Sequence, residues 1–231
     1  MSLLTDLEDR LDKLPKKKHR KILAGSMRKY AALVTEAGAS MRDVLDAVRF
    51  AHTVFPEEDF AKARLRVDQA VTLAAKLKGR LADDIEDVAR KGTEEDVTRL
   101  REHANAARTV LRDRWKILLT ARIDPHERLA EVVHGIPELA SQGGTTLRTL
   151  LDRLRRQVTS PPETQALADS VREGLEDLPR VIEGLGLEGE VGEFLVQAAG
   201  GAGDPAKLYR PAIRDFFEGH DLLGLLRVSI R

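Results

Sequence analysis

The chain has 231 residues, 38 basic against 38 acidic side chains, 42% hydrophobic and only 4% aromatic residues, and no cysteine. That length carries a sizeable core, and the hydrophobic share is too high for a chain disordered throughout. Disulfides, thiolate nucleophiles and cysteine-based metal sites are excluded, and no apolar run approaches the ~20 residues of a membrane span.

Leu3 and Leu4 are followed at once by polar and acidic residues, so no signal peptide is expected, and the expected location is the cytoplasm. Thr5-Asp6-Leu7-Glu8 reads as a capping box, and Leu4, Leu7, Leu11 and Leu14 predict a short amphipathic helix ending before Pro15. Residues 13–21, KLPKKKHRK, then hold six Lys or Arg side chains and no acid. A second helix is predicted from Lys16 to Ala37, with Leu23, Met27, Tyr30, Val34 and Ala37 as its seam, stopped by Gly38. Its first turn would carry Lys16, Lys17, Lys18, Arg20 and Lys21, where each positive charge costs roughly 0.3–1 kcal/mol against the helix dipole. Such a turn frays, or an anionic polymer neutralises it, or an acidic surface in the same chain or a second copy does. Ser40 is expected to cap a third helix carrying Val44, Leu45, Val48 and Phe55.

Pro56-Glu57-Glu58-Asp59 reads as the start of a long helix, with acids where the dipole favours them. Phe60, Val67, Ala74, Leu81 and Val88 recur every seventh residue, joined by Ala63, Ala70 and Leu77. Lys91-Gly92-Thr93 reads as a turn. The register then repeats in Val97, Ala104, Leu111 and Leu118, with Leu100, Ala107 and Ala121. Two long heptad helices joined by a tight turn form an antiparallel coiled-coil hairpin over about 57–121. Arg101, Arg108, Trp115 and Arg122 share one heptad position, with Arg112 and Lys116 close by. A basic row with one aromatic suits phosphate tracking, but long basic side chains also flank ordinary coiled-coil seams.

Asp124-Pro125 reads as the start of a shorter helix and of a second region, 124–231, after an N-terminal region 1–123. Pro137 opens another short piece, Gly143-Gly144 breaks it, and Thr145 or Thr146 caps a helix with Leu147, Leu150, Leu151, Leu154 and Val158. A helix beginning at Ser160-Pro161-Pro162-Glu163 carries Leu167, Val171, Leu175 and Leu178 as far as Pro179. From Pro161 to Asp204 ten acids face two bases, a pole opposite in sign to residues 13–29, which hold eight bases and no acid. Seven of the 17 glycines lie between 184 and 203, which reads as a hinge. The tail from Leu208 is apolar, and Phe216, Phe217, Leu222, Leu223, Leu225 and Leu226 are expected to be core or interface. Val228 to Arg231 alternates as a short strand or ends as a helical turn.

Catalytic patterns are sparse. Gly184, Gly186 and Gly189 spell GxGxxG, but Glu188, Glu190 and Glu193 would repel a pyrophosphate. Arg128 with His134, and Arg214 with His220, match the arginine–histidine spacing of HEPN-like ribonucleases, at the frequency chance supplies. There is no HExxH, and the acids at Asp83, Asp84, Glu86 and Asp87 lack the spacing of a calcium loop. The expectation is an all-α helical bundle with a long hairpin and a smaller helical C-terminal region. No cofactor or small-molecule substrate is expected. The functional expectation is a non-catalytic interaction or assembly subunit, whose partner is another protein or a second copy. A nucleic-acid-binding accessory role through residues 13–29 and the arginine row is the alternative, and a HEPN-like ribonuclease the third.

Overall fold

The computed structural model describes residues 17–83 and 91–225, with the side chains of residues 17–20, 81, 82 and 225 left aside. The capping box at Thr5, the short helix after it, Lys16, Val88, the acids 84–87, Leu226 and the alternating residues 228–231 lie outside the described residues. Within them the chain is all-α, with no strand. The helices are α1 (Lys17–Val54), α2 (Ala61–Asp83), α3 (Lys91–His134), α4 (Thr145–Arg156), α5 (Gln165–Gly184), α6 (Glu190–Ala199) and α7 (Pro211–Gly219).

Two compact units emerge. Unit 1 holds the described residues through Arg114 together with Pro161–Gln165, and unit 2 holds Trp115–Ser160 and the described residues from Ala166.

Unit 1 is a three-helix coiled coil. The stop expected at Gly38 is absent, and α1 runs through it for 38 residues. The reason is the uninterrupted seam: Leu23, Met27, Tyr30, Ala37, Val44, Val48, Ala51 and Val54 are all buried. Burying these side chains outweighs the ~1 kcal/mol cost of one helical glycine. Ser40 is therefore no cap. It sits inside α1, and its Oγ is buried with no hydrogen-bond partner. Val34 and Leu45, read from the sequence as core, are 38% and 47% exposed.

The long hairpin is present, but its ends differ from the expectation. α2 begins at Ala61 rather than near Pro56, with the Phe60 carbonyl accepting from Ala63 and Arg64. Lys91-Gly92-Thr93 is not a turn but the first turn of α3. Near that end Arg80 of α2 reaches Asp96 and Thr93 of α3, both at 2.6 Å. At the other end Glu58, just before α2, pairs with Arg114, and Phe60 and Ala63 line a cleft with Val110 and Leu111. Pairing that runs 80 to 96 and 58 to 114 makes the two helices antiparallel. α1 lies parallel to α3, because Lys29, Glu36 and Asp43 pair in turn with Glu94, Arg101 and Arg108. Leu23, Met27, Tyr30 and Ala37 from α1, Ala70 and Leu77 from α2, and Val97, Leu100 and Ala104 from α3 form one core cluster.

α3 changes register where it leaves unit 1. Its buried residues alternate by three and four through Val97, Leu100, Ala104, Ala107 and Leu111, then step by four through Trp115, Leu119 and Ile123. Consecutive steps of four rotate the buried stripe around the helix, as a coiled-coil stutter does. Leu119 thus replaces the expected Leu118. The helix expected to start at Asp124-Pro125 is instead the continuation of α3, with Pro125 inside it.

Unit 2 is built from short helices. A single helical turn, Pro137–Leu139, runs through a π-type turn at Ala140–Gly144 into α4, with Gly143 at φ 145°. No side chain caps α4; its N-cap is Gly144. α5 starts at Gln165 and continues through Pro179, where a break was expected. α6 fills the middle of the glycine-rich stretch and buries Val191, Phe194 and Leu195. Gly192 allows that packing, since an added Cβ would lie 2.4 Å from the Leu187 carbonyl oxygen.

Candidate interaction surfaces

The arginine row on α3 follows from the coiled-coil geometry. Positions seven apart on α3 face positions seven apart on the parallel α1. Arg101 Nη2 lies 3.8 Å from Glu36, and Arg108 Nη2 lies 3.2 Å from Asp43. Lys29 and Glu94 close the series at 2.8 Å. The hydrogen bond to Glu94 and its charge raise the Lys29 ammonium above its ordinary range, and the same bond lowers the Glu94 carboxyl. Burial raises the neighbouring Tyr30 phenol.

The next position in the row, Trp115, has no exposed surface, and its Nε1 donates to the Gln157 carbonyl oxygen at 2.7 Å. It offers no ring face on which a base could stack. Arg112 and Arg122 are exposed. Lys17, Lys18 and Arg20 belong to the start of α1, whose first turn contains no acid, and Lys21 is exposed.

The tail residues divide. Phe216, Phe217 and Leu222 are buried, and Ile213, which the sequence reading passed over, is buried with them. Phe217 meets the rings of Phe194 and Phe216 edge-on at 5.7 and 5.8 Å. Leu223 is exposed, Leu225 closes a 3-10 turn, and Tyr209 is 87% exposed. Of the ribonuclease-like pairs, Arg214 pairs with Asp215 and Glu218. His220 packs its ring on Phe216 at 4.3 Å and places Nδ1 2.9 Å from the Phe216 carbonyl oxygen. His134 is exposed, and Arg128 lies against Gly200.

A groove that sequence reasoning missed lies within unit 2, with a volume of about 540 Å³. Pro125, Leu129, Ile182, Leu187 and Val196 supply apolar lining from α3, α5, α6 and the α5–α6 connection. Glu183, Glu188 and Glu193 stand around it with His126. None of these three carboxylates has an ion-pair partner among the described residues, whereas the nearby Glu190 is held by Arg210 at 2.6 Å. Burial lowers the His126 imidazole below its ordinary value, so the ring is neutral at neutral pH. Gln197, at one end, accepts from Lys207 at 2.9 Å. The signal in the sequence was the acidic imbalance after Pro161. What it lacked was the pairing of α3 with α5 and α6, which no local pattern encodes.

Among the described residues, no group of three or more His, Asp or Glu side chains is placed to hold a metal ion. No described helix is long and apolar enough to cross a membrane. The chain matches no family model, no curated protein and no solved structure.

Proposed function

We propose that the chain is a non-catalytic interaction or assembly subunit that works through helical surfaces. The observation that carries this reading is the groove of unit 2: an apolar floor ringed by three carboxylates that have no ion-pair partner among the described residues. Apolar groups left partly open beside carboxylates unpaired among the described residues suit a protein ligand, because an incoming chain covers the one and pairs with the other together. Light scattering over a concentration series, with co-purification from the native host, tests it. A self-association or a stoichiometric partner that is lost in Val196→Asp supports the reading. A chain monomeric at every concentration and without a stoichiometric partner overturns it.

Nucleic-acid binding is the second reading, favoured by the acid-free start of α1. Arg101 and Arg108 contribute little to it while held by Glu36 and Asp43. Changing Lys16, Lys17, Lys18 and Lys21 together to Gln would then flatten the salt dependence of binding. Absence of binding to duplex and single strand at ~50 mM salt removes this reading.

A further inference from the structure

We propose that the groove of unit 2 receives the basic segment around residues 11–22 of a second copy, so that chains associate head to tail; this rests on the assembly reading above and names its partner. The groove asks for a ligand with two properties, apolar groups for the exposed Pro125 and Pro179 and the half-buried Val196, and cations for Glu183, Glu188 and Glu193. The chain itself carries such a segment. Leu11 and Leu14 precede Lys16, Lys17, Lys18, Arg20 and Lys21, and Ile22, 57% exposed, follows them. Between Lys13 and Lys29 there are eight bases and no acid, and between Pro161 and Asp204 ten acids and two bases.

Each partner carries what the other calls for. The first turn of α1 contains no acidic residue, and the groove carboxylates have no ion-pair partner among the described residues. Docking one on the other removes like-charge repulsion at both places and covers the apolar floor. The two surfaces are different parts of the chain, so the contact is heterologous: it propagates into chains or closes into rings, rather than stopping at a symmetric dimer. Its charged half is screened within roughly 8 Å at physiological ionic strength, so assembly weakens as salt rises.

The test uses the full chain and two charge-reversed versions. One carries Lys16→Glu, Lys17→Glu, Lys18→Glu and Lys21→Glu; the other carries Glu183→Lys, Glu188→Lys and Glu193→Lys. Circular dichroism confirms that both fold, since none of the reversed groove carboxylates is buried. Light scattering at low salt is expected to show oligomers for the unaltered chain, whose dissociation constant rises about tenfold or more between ~50 and ~300 mM salt. Each reversed version alone is expected to be monomeric, and an equimolar mixture to co-assemble into oligomers in which the two versions alternate, because complementary charge is restored at both contacts. Zero-length carbodiimide coupling of mixed light and heavy-isotope chains is expected to join Glu188 or Glu193 of one copy to a lysine of residues 13–21 of the other. Coupling only within single chains overturns the proposal. So does an oligomer that persists in both reversed versions, although the assembly reading then survives. A monomer that retains a groove-dependent partner from the host likewise sinks this occupant alone. A monomer without any partner sinks both.

Discussion

Two residues in α1 carry a cost that the heptad seam absorbs. Ser40 loses its water on folding and gains no hydrogen bond. Ser40→Ala is therefore expected to stabilise unit 1 by ~1 kcal/mol, through the relieved desolvation and the better helix propensity. Gly38 lies in the same helix with open space where a Cβ would stand. Gly38→Ala is expected to add about 0.5–1 kcal/mol, while Gly192→Ala, meeting the Leu187 carbonyl at 2.4 Å, destabilises unit 2. Denaturant titration separates the three, and a destabilising Ser40→Ala would show that its hydroxyl has a partner. His126 adds a pH dependence. Its folded pKa lies below the unfolded value of 6.5, so below pH 6.5 the unfolded chain binds more protons. Stability falls as pH drops through that value, and levels off once the folded ring is itself protonated. His126→Gln is expected to lose this component of the melting temperature between pH 7.5 and 5. Glu94 acts lower, its contribution falling away only below the ordinary value of 4.5.

The helices were legible where burial repeats, and illegible at their ends. The heptads of α2 and α3 predicted the hairpin because side-chain spacing alone decides which face is buried. Gly38, Pro125 and Pro179 were each read as helix ends, since glycine and proline weaken local propensity. All three lie inside helices, because buried neighbours such as Ala37, Ile123 and Leu178 hold the backbone in place. The groove was less legible still, since it depends on which helices of unit 2 meet. The pairing of α1 with α3 was written in the charges: Lys29, Glu36 and Asp43 oppose Glu94, Arg101 and Arg108 in sign at one spacing. Recognising it required knowing that α1 is continuous. This series sets register more than stability, because exposed pairs contribute ~0–1 kcal/mol each. Asp43→Ala and Arg108→Ala are expected to cost under ~1 kcal/mol singly, with a small coupling in a double-mutant cycle that shrinks in salt. Leu100→Ala, removing a side chain with no exposed surface, is expected to cost ~2–5 kcal/mol. A cycle in which the ion pair outweighs Leu100 would mean that charge, not packing, holds the coil.

At the scale of the whole chain, stability is divided between two cores that share one helix. One core cluster of unit 1 draws on residues from Leu23 to Ala104, and further buried residues such as Val48, Phe60 and Leu111 also precede Trp115. Unit 2 depends on the end of the chain: Ile213, Phe216, Phe217 and Leu222 are all buried, and Phe217 abuts Phe194 of α6. Four such side chains contribute roughly 1.5–3 kcal/mol each, a sum comparable to the entire 5–15 kcal/mol of a typical domain. Deleting residues 208–231 is therefore expected to unfold unit 2. Exposed α4, α5 and α6 would then exchange their amides freely. Unit 1 keeps every member of its core cluster in the truncated chain, so α1, α2 and the first half of α3 are expected to stay protected. The boundary of protection is expected in α3 near Trp115, where the buried stripe changes register. Hydrogen exchange read by mass spectrometry resolves these segments directly. Loss of protection throughout α1 and α2 would show that the two cores fold as one, while full protection of α4 to α6 would show that the tail is no part of the core of unit 2.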